Sequence, residues 1–134
     1  MLTQNQLVKV LKKILLIDHD TRVTWTVRRA LEIAGKYSIR EEHDAAFAAH
    51  AAHWFRPDLI LVDLTTAASD GKIIASQLQN DSELSEVPLL CLNNFVSDRQ
   101  FTSAGILRGY SFLAVPVKID QLLSAVEQLL FGKD

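Results

Sequence analysis

At 134 residues the chain has the size of a single domain, long enough to bury one continuous core without disulfides or a structural metal. Hydrophobic residues make up 49% and charged residues 22%, a balance that excludes an intrinsically disordered chain. The net charge of −2 gives no basic footprint, and no Lys/Arg stripe with interleaved aromatics supplies a local one, so no nucleic-acid partner is expected. Cys91 is the single cysteine, which rules out an internal disulfide, and within VPLLCL it is expected to be a buried small hydrophobe. No apolar run approaches the roughly 20 residues of a membrane helix, and MLTQNQL lacks the basic-then-apolar order of a secretory signal. No membrane contact and a cytoplasmic location are expected.

Residues 1–12 read as an extension, either a short helix or a frayed tail: Thr3 and Gln6 have capping-box spacing, and Leu7 and Leu11 would share one helical face. The domain proper spans 13–134. It begins with an apolar strand, Lys13 to Asp18, that ends in Asp18, His19 and Asp20. A helix follows, with Val23, Val27, Ala30, Leu31 and Ala34 at helical spacing, Asp20 or Thr21 as its cap and Gly35 as its stop. Trp25 falls outside that stripe and is expected to be exposed, as is Trp54. A strand over Tyr37 to Glu42 leads into an Ala-rich helix, Asp44 to Phe55. His50 and His53 lie at i, i+3 on it and read as a solvated face, because no third metal ligand is placed with them. The run PDLILVDL supplies the strand Asp58 to Asp63, which closes on the carboxylate of Asp63. Then come a helix over Lys72 to Asn80, a strand over Val87 to Leu92, a helix over Ser97 to Leu107 and a strand over Ser111 to Val115. The last helix carries the stripe Ile119, Leu122, Leu123, Val126, Leu129 and Leu130 before Gly132.

This βα alternation, repeated five times with right-handed crossovers, requires a parallel sheet with helices on both faces. Nearly continuous apolar strands fit a sheet covered on both sides. Two such strands bring Asp18 and Asp63 to the carboxyl edge, where open α/β sheets hold their ligands.

KILLIDHD, RRALEIAG, PDLILVDL, the loop closing with Asp70 and Gly71, VPLLCLNN, and Pro116 after the fifth strand together resemble the receiver domain of two-component response regulators, from Lys13 to about Leu130. The order and spacing of these segments carry the resemblance. It implies a flavodoxin-like, doubly wound α/β fold, (βα)5, with five parallel strands and five helices. It further implies that Asp63 is the phosphoacceptor in a phosphorelay, supplied by a phosphohistidine on a sensor histidine kinase or a phosphotransfer protein. Asp18, His19 and Asp20 then form the acidic pocket, and Asp18, Asp63 and Thr65 the Mg²⁺ site. No catalytic turnover of its own is expected, since such a domain positions groups and balances charge.

Three supporting positions depart from the family pattern. His19 stands where the second acid would be, and Mg²⁺ wants oxygen ligands. Asn93 replaces a Ser/Thr hydroxyl at the switch position. Val115 replaces the Lys that pairs with the phosphate, and Phe112 keeps the switch aromatic without its hydroxyl. A protonated His19 is expected to act as a built-in cation beside the acids. The alternative is a pseudo-receiver, a phosphorylation-independent module binding another protein through the fourth helix, fifth strand and fifth helix, with Phe95, Phe101 and Ile106 on that face. A small flavodoxin-like cofactor binder is the weakest reading, because residues 18–22 hold no glycine-rich phosphate loop. The sequence stops soon after the last helix, and no output domain is expected within it.

Overall fold

The structure, a computed structural model, describes residues 11–19, 21–64, 70–93, 106–107, 110–114 and 116–132. Its elements in chain order are β1 (Lys12–Ile17), α1 (Thr21–Ala34), β2 (Tyr37–Glu42), a 3-10 turn (Ala45–Phe47) running into α2 (Ala48–Phe55), β3 (Leu59–Asp63), α3 (Asp70–Asn80), β4 (Leu89–Asn93), β5 (Ile106–Leu107), β6 (Tyr110–Ala114) and α4 (Ile119–Phe131). The sheet order is β2-β1-β3-β4-β6-β5. Five strands pair in parallel, in the order that a doubly wound, flavodoxin-like sheet adopts.

Strand boundaries follow burial. All five residues of β3 are buried, as a strand covered on both faces must be. Period-two alternation divides the core into two layers. Leu15, Ile17, Ile60, Val62, Cys91 and Phe112 face α2 and α3, whereas Ile14, Leu16, Leu59, Leu61, Leu90 and Leu92 face α1 and α4. On α1, Val27 and Leu31 bury as the spacing requires, and the helix stops at Gly35, whose φ of 77° is a left-handed conformation cheap only for glycine. Trp25 and Trp54 are exposed, as expected; the Trp54 ring carries the Arg40 guanidinium 4.5 Å from its centroid.

One element corrects the sequence reading. The helix expected over Ser97 to Leu107 ends in residues that are strand, since Ile106–Leu107 pair antiparallel with β6 through Leu107↔Tyr110 and Ile106↔Ser111. Residues 97–105 lie outside the described residues, as do residues 1–10 of the expected extension. Among the described residues no helix is long and apolar enough to cross a membrane.

Candidate functional site at the carboxyl edge of the sheet

The register of β1 sets the site. Ile17 pairs with Glu42 of β2 on one side and with Val62 of β3 on the other. One residue further along, Asp18 therefore lies between His43 and Asp63. Both carboxylates are buried, Asp18 at 1% and Asp63 at 5% exposure, so each needs polar partners to offset lost hydration. The backbone N–H of Asp18 donates to the Glu42 carbonyl at 3.1 Å, and that of Leu64 donates to the Leu92 carbonyl at 2.8 Å, which fixes both strand ends.

The Asp18 side chain is gripped from two directions. The hydroxyl of Thr24, itself buried on α1, donates to Oδ2, and Nδ1 of His43 stands 2.5 Å from Oδ1. One turn along α1 from Thr24, Arg28 pairs with Glu41 and, at 3.0 Å, with Glu32. Glu41 lies in β2 and His43 one residue past its end, and Oε1 of Glu41 lies 3.6 Å from Nε2 of His43. A carboxylate, a second carboxylate and an imidazole thus converge within 4.8 Å.

The imidazole on Asp18 is His43, at the end of β2. His19, expected to act as the cation there, is exposed, because Asp18 turns inward at the strand end and its neighbour turns out. Phe112 is buried on the α2–α3 face, in register with Cys91. Asn93 ends β4 and Ile106 opens β5. Asp20, Thr65, Phe95, Phe101 and Val115 lie outside the described residues. Sequence reasoning missed Thr24, Glu41 and His43. For Glu41 and His43 the signal was the polar cluster EEHD at the end of β2, which gains meaning only once β2 is known to flank β1; for Thr24 it was a polar residue next to the buried stripe of α1.

A second cluster forms away from this edge. His53, on the exposed side of α2, places Nε2 2.8 Å from Oδ2 of Asp81 and Nδ1 3.2 Å from Oε1 of Glu83. The hydrogen bond to Asp81 raises the His53 pKa and lowers that of Asp81. Cys91 is buried in β4, and burial pushes its thiol up to about 12.

The described part of the site does not fit Mg²⁺. That ion requires a near-octahedral oxygen shell, whereas an imidazole stands on Oδ1 of Asp18 and His19 replaces an acid.

No family model matches the chain. In sequence it is similar to the DNA-binding dual master transcriptional regulator RpaA of Synechocystis sp., 27% identical over 122 residues, covering 91% of this chain and 50% of that protein. It is also similar to the response regulator MprA of Mycobacterium avium, 29% identical over 119 residues, covering 88% of this chain and 50% of the relative. The chain thus spans about half the length of the curated relatives it matches. One of them binds DNA, so the expectation of no nucleic-acid partner is not supported. In structure it resembles the chemotaxis protein CheY4 of Vibrio cholerae, with a TM-score of 0.75 at 22% identity, covering 90% of this chain and 99% of that one. It resembles as well the receiver domain of a sensor histidine kinase from Pseudomonas aeruginosa that holds a magnesium ion in its active-site cleft, with a TM-score of 0.73 at 22% identity, covering 92% and 99%. The sequence relatives are response regulators, the structural neighbours are CheY-like receiver domains, and this chain has the fold of a receiver domain.

Proposed function

We propose that the chain is a signalling receiver whose Asp63 accepts a phosphoryl group from a phosphohistidine on a sensor histidine kinase or phosphotransfer protein. One observation supports this above the others: the buried Asp63 carboxylate closes the central strand β3, in register beside Asp18 of β1, at the edge where such sheets hold ligands. The reaction moves a phosphoryl group from an imidazole nitrogen to a carboxylate oxygen, so the protein's share is positioning and charge compensation. Added phosphate brings roughly −1.5 to −2 units of charge at neutral pH, and the nearest described imidazole to this pair of acids is that of His43. A cytoplasmic site of action accords with this role.

A second reading draws on Asp18. With Thr24 and His43 already on its two oxygens, the pocket is held together by protein groups, which favours a phosphorylation-independent module that signals by binding another protein. One experiment separates the readings. The protein is incubated with a small phosphodonor, with and without Mg²⁺, and its intact mass is measured. A phosphoryl adduct that disappears in Asp63→Asn supports the first reading; no adduct under either condition overturns it and leaves the second.

A further inference from the structure

We infer that the outer face of α2 is an interface with a second copy of this chain, the two α2 helices packing antiparallel about a twofold axis. The face lies beside β2, and the inference does not depend on phosphorylation of Asp63.

Composition singles out this helix. Residues 45–55, AAFAAHAAHWF, contain no Asp, Glu, Lys or Arg, whereas α1, α3 and α4 each carry acidic or basic residues. A surface helix normally turns a charged or polar face to water, and one that is apolar on all sides is normally covered on all sides. Ala48, Ala51 and Ala52 bury in the core layer shared with α3. The opposite side is left with Phe47, 54% exposed, with His50, and with Trp54, 66% exposed. Phe47 and Trp54 are seven residues apart, so they fall on one side of the helix, about 10 Å from each other along its axis. On α1, Trp25 and Ile33 are also exposed, but Arg22, Arg29 and Glu32 stand among them and solvate that face.

Charge selects the occupant and its direction. The guanidinium of Arg40 rides on the Trp54 ring and makes no ion pair among the described residues. At the other end of the helix Asp44 is exposed, its Oδ1 accepting the Ala46 N–H. The face thus carries a cation over its carboxyl-end aromatic and an anion before its amino-end aromatic. Phe47 and Trp54 are centred on residues 50–51. A twofold axis there, running across both helices, keeps their β2 flanks on the same side of the pair. It sets Trp54 of one copy on Phe47 of the other and brings Arg40 toward Asp44 of that other copy. Symmetry repeats both contacts, as in any isologous pair. Parallel packing would instead set Arg40 against Arg40 and Asp44 against Asp44.

Size fixes the strength. Aromatic side chains bury about 150–250 Å² each, so the exposed parts of Phe47 and Trp54 offer on the order of 250 Å² per copy. A stable interface takes roughly 800 Å² per partner, so this pair is a weak, reversible dimer.

The test is sedimentation equilibrium of the tag-free full chain from about 10 μM to about 1 mM, the span in which weak interfaces associate. The weight-average mass of the parent should rise from the 15.0 kDa of one chain toward twice that value. Phe47→Glu and Trp54→Glu should each weaken association at least about tenfold, as loss of an aromatic anchor does, and Trp25→Ala on α1 should leave it unchanged. All three side chains are exposed, so circular dichroism is expected to show folded variants. Arg40→Glu and Asp44→Lys should each weaken self-association, because like charges then meet. An equimolar mixture of those two variants should associate as the parent does, because opposite charges then meet at both ends. A parent that stays monomeric overturns the proposal and leaves the face to another protein. Dimers that survive Trp54→Glu, dimers lost in Trp25→Ala, or a mixture that fails to associate also overturn it.

Discussion

Replacing Thr24 by Val keeps the shape of the side chain and removes one hydroxyl. Thr24 is 1% exposed and its hydroxyl donates to Oδ2 of Asp18, itself 1% exposed, so water cannot take the place of the lost donor. A hydrogen bond to a charged group is worth about 1.5–3 kcal/mol, and that loss is expected for Thr24→Val. With a urea m-value of about 1–3 kcal/mol/M, the unfolding midpoint should fall on the order of 1 M. In an Asp18→Asn background the same change should cost about half as much, because neutral hydrogen bonds are roughly half as strong as charge-assisted ones. Urea unfolding followed by circular dichroism measures all four proteins of the cycle. A Thr24→Val protein within about 0.5 kcal/mol of the parent, the range of a neutral surface change, would refute the view that α1 secures the acidic edge through this hydroxyl.

Two further outcomes follow from the titrating groups. The His53 contact adds stability fully below the ordinary imidazole value of 6.5 and loses it as pH rises through the raised value in the folded protein; Asp81 adds stability above 3.8 and loses it as pH falls through its lowered value. The melting-temperature difference between the parent and His53→Gln should therefore be greatest between these two values and fade on either side, and a flat difference across pH would count against the pairing. Cys91, buried and with its thiol pushed up to about 12, should resist a thiol-reactive dye in the native protein and react at once in denaturant, so rapid native labelling would contradict its burial.

The central strands were legible because each is a short apolar run bounded by helical periodicity, and burial on both faces leaves that pattern plain, whereas β2, YSIREE, buries only Tyr37 and was marked by its place between two helical stretches. Asp18 and Asp63 were legible as strand-end acids for the same reason. His43 was not, because a sequence gives which residues end each strand and not which strands adjoin; only the pairing Ile17↔Glu42 brings His43 to Asp18. His19 illustrates the converse, being next to Asp18 in sequence and exposed to solvent through alternation. The short β5 left a sequence mark that helical spacing obscured. Arg108 and Gly109, two residues between Ile106–Leu107 and Tyr110–Ala114, match the length of a tight antiparallel connection.

The two halves of the acidic edge differ in how firmly the sheet holds them. Asp18 follows β1, which is paired on both sides, and Asp63 closes β3, likewise paired on both sides; His43 follows β2, an edge strand that among the described residues pairs only with β1. Peripheral strands open at lower free energy than central ones in native-state amide exchange. Opening of β2 alone would carry Glu41 and His43 away from Asp18 while the central acids stay seated. The charge environment of Asp18 and Asp63 is thus coupled to a local fluctuation of one border strand, and amide protection along Tyr37–Glu42 would report how often that environment is exchanged for solvent.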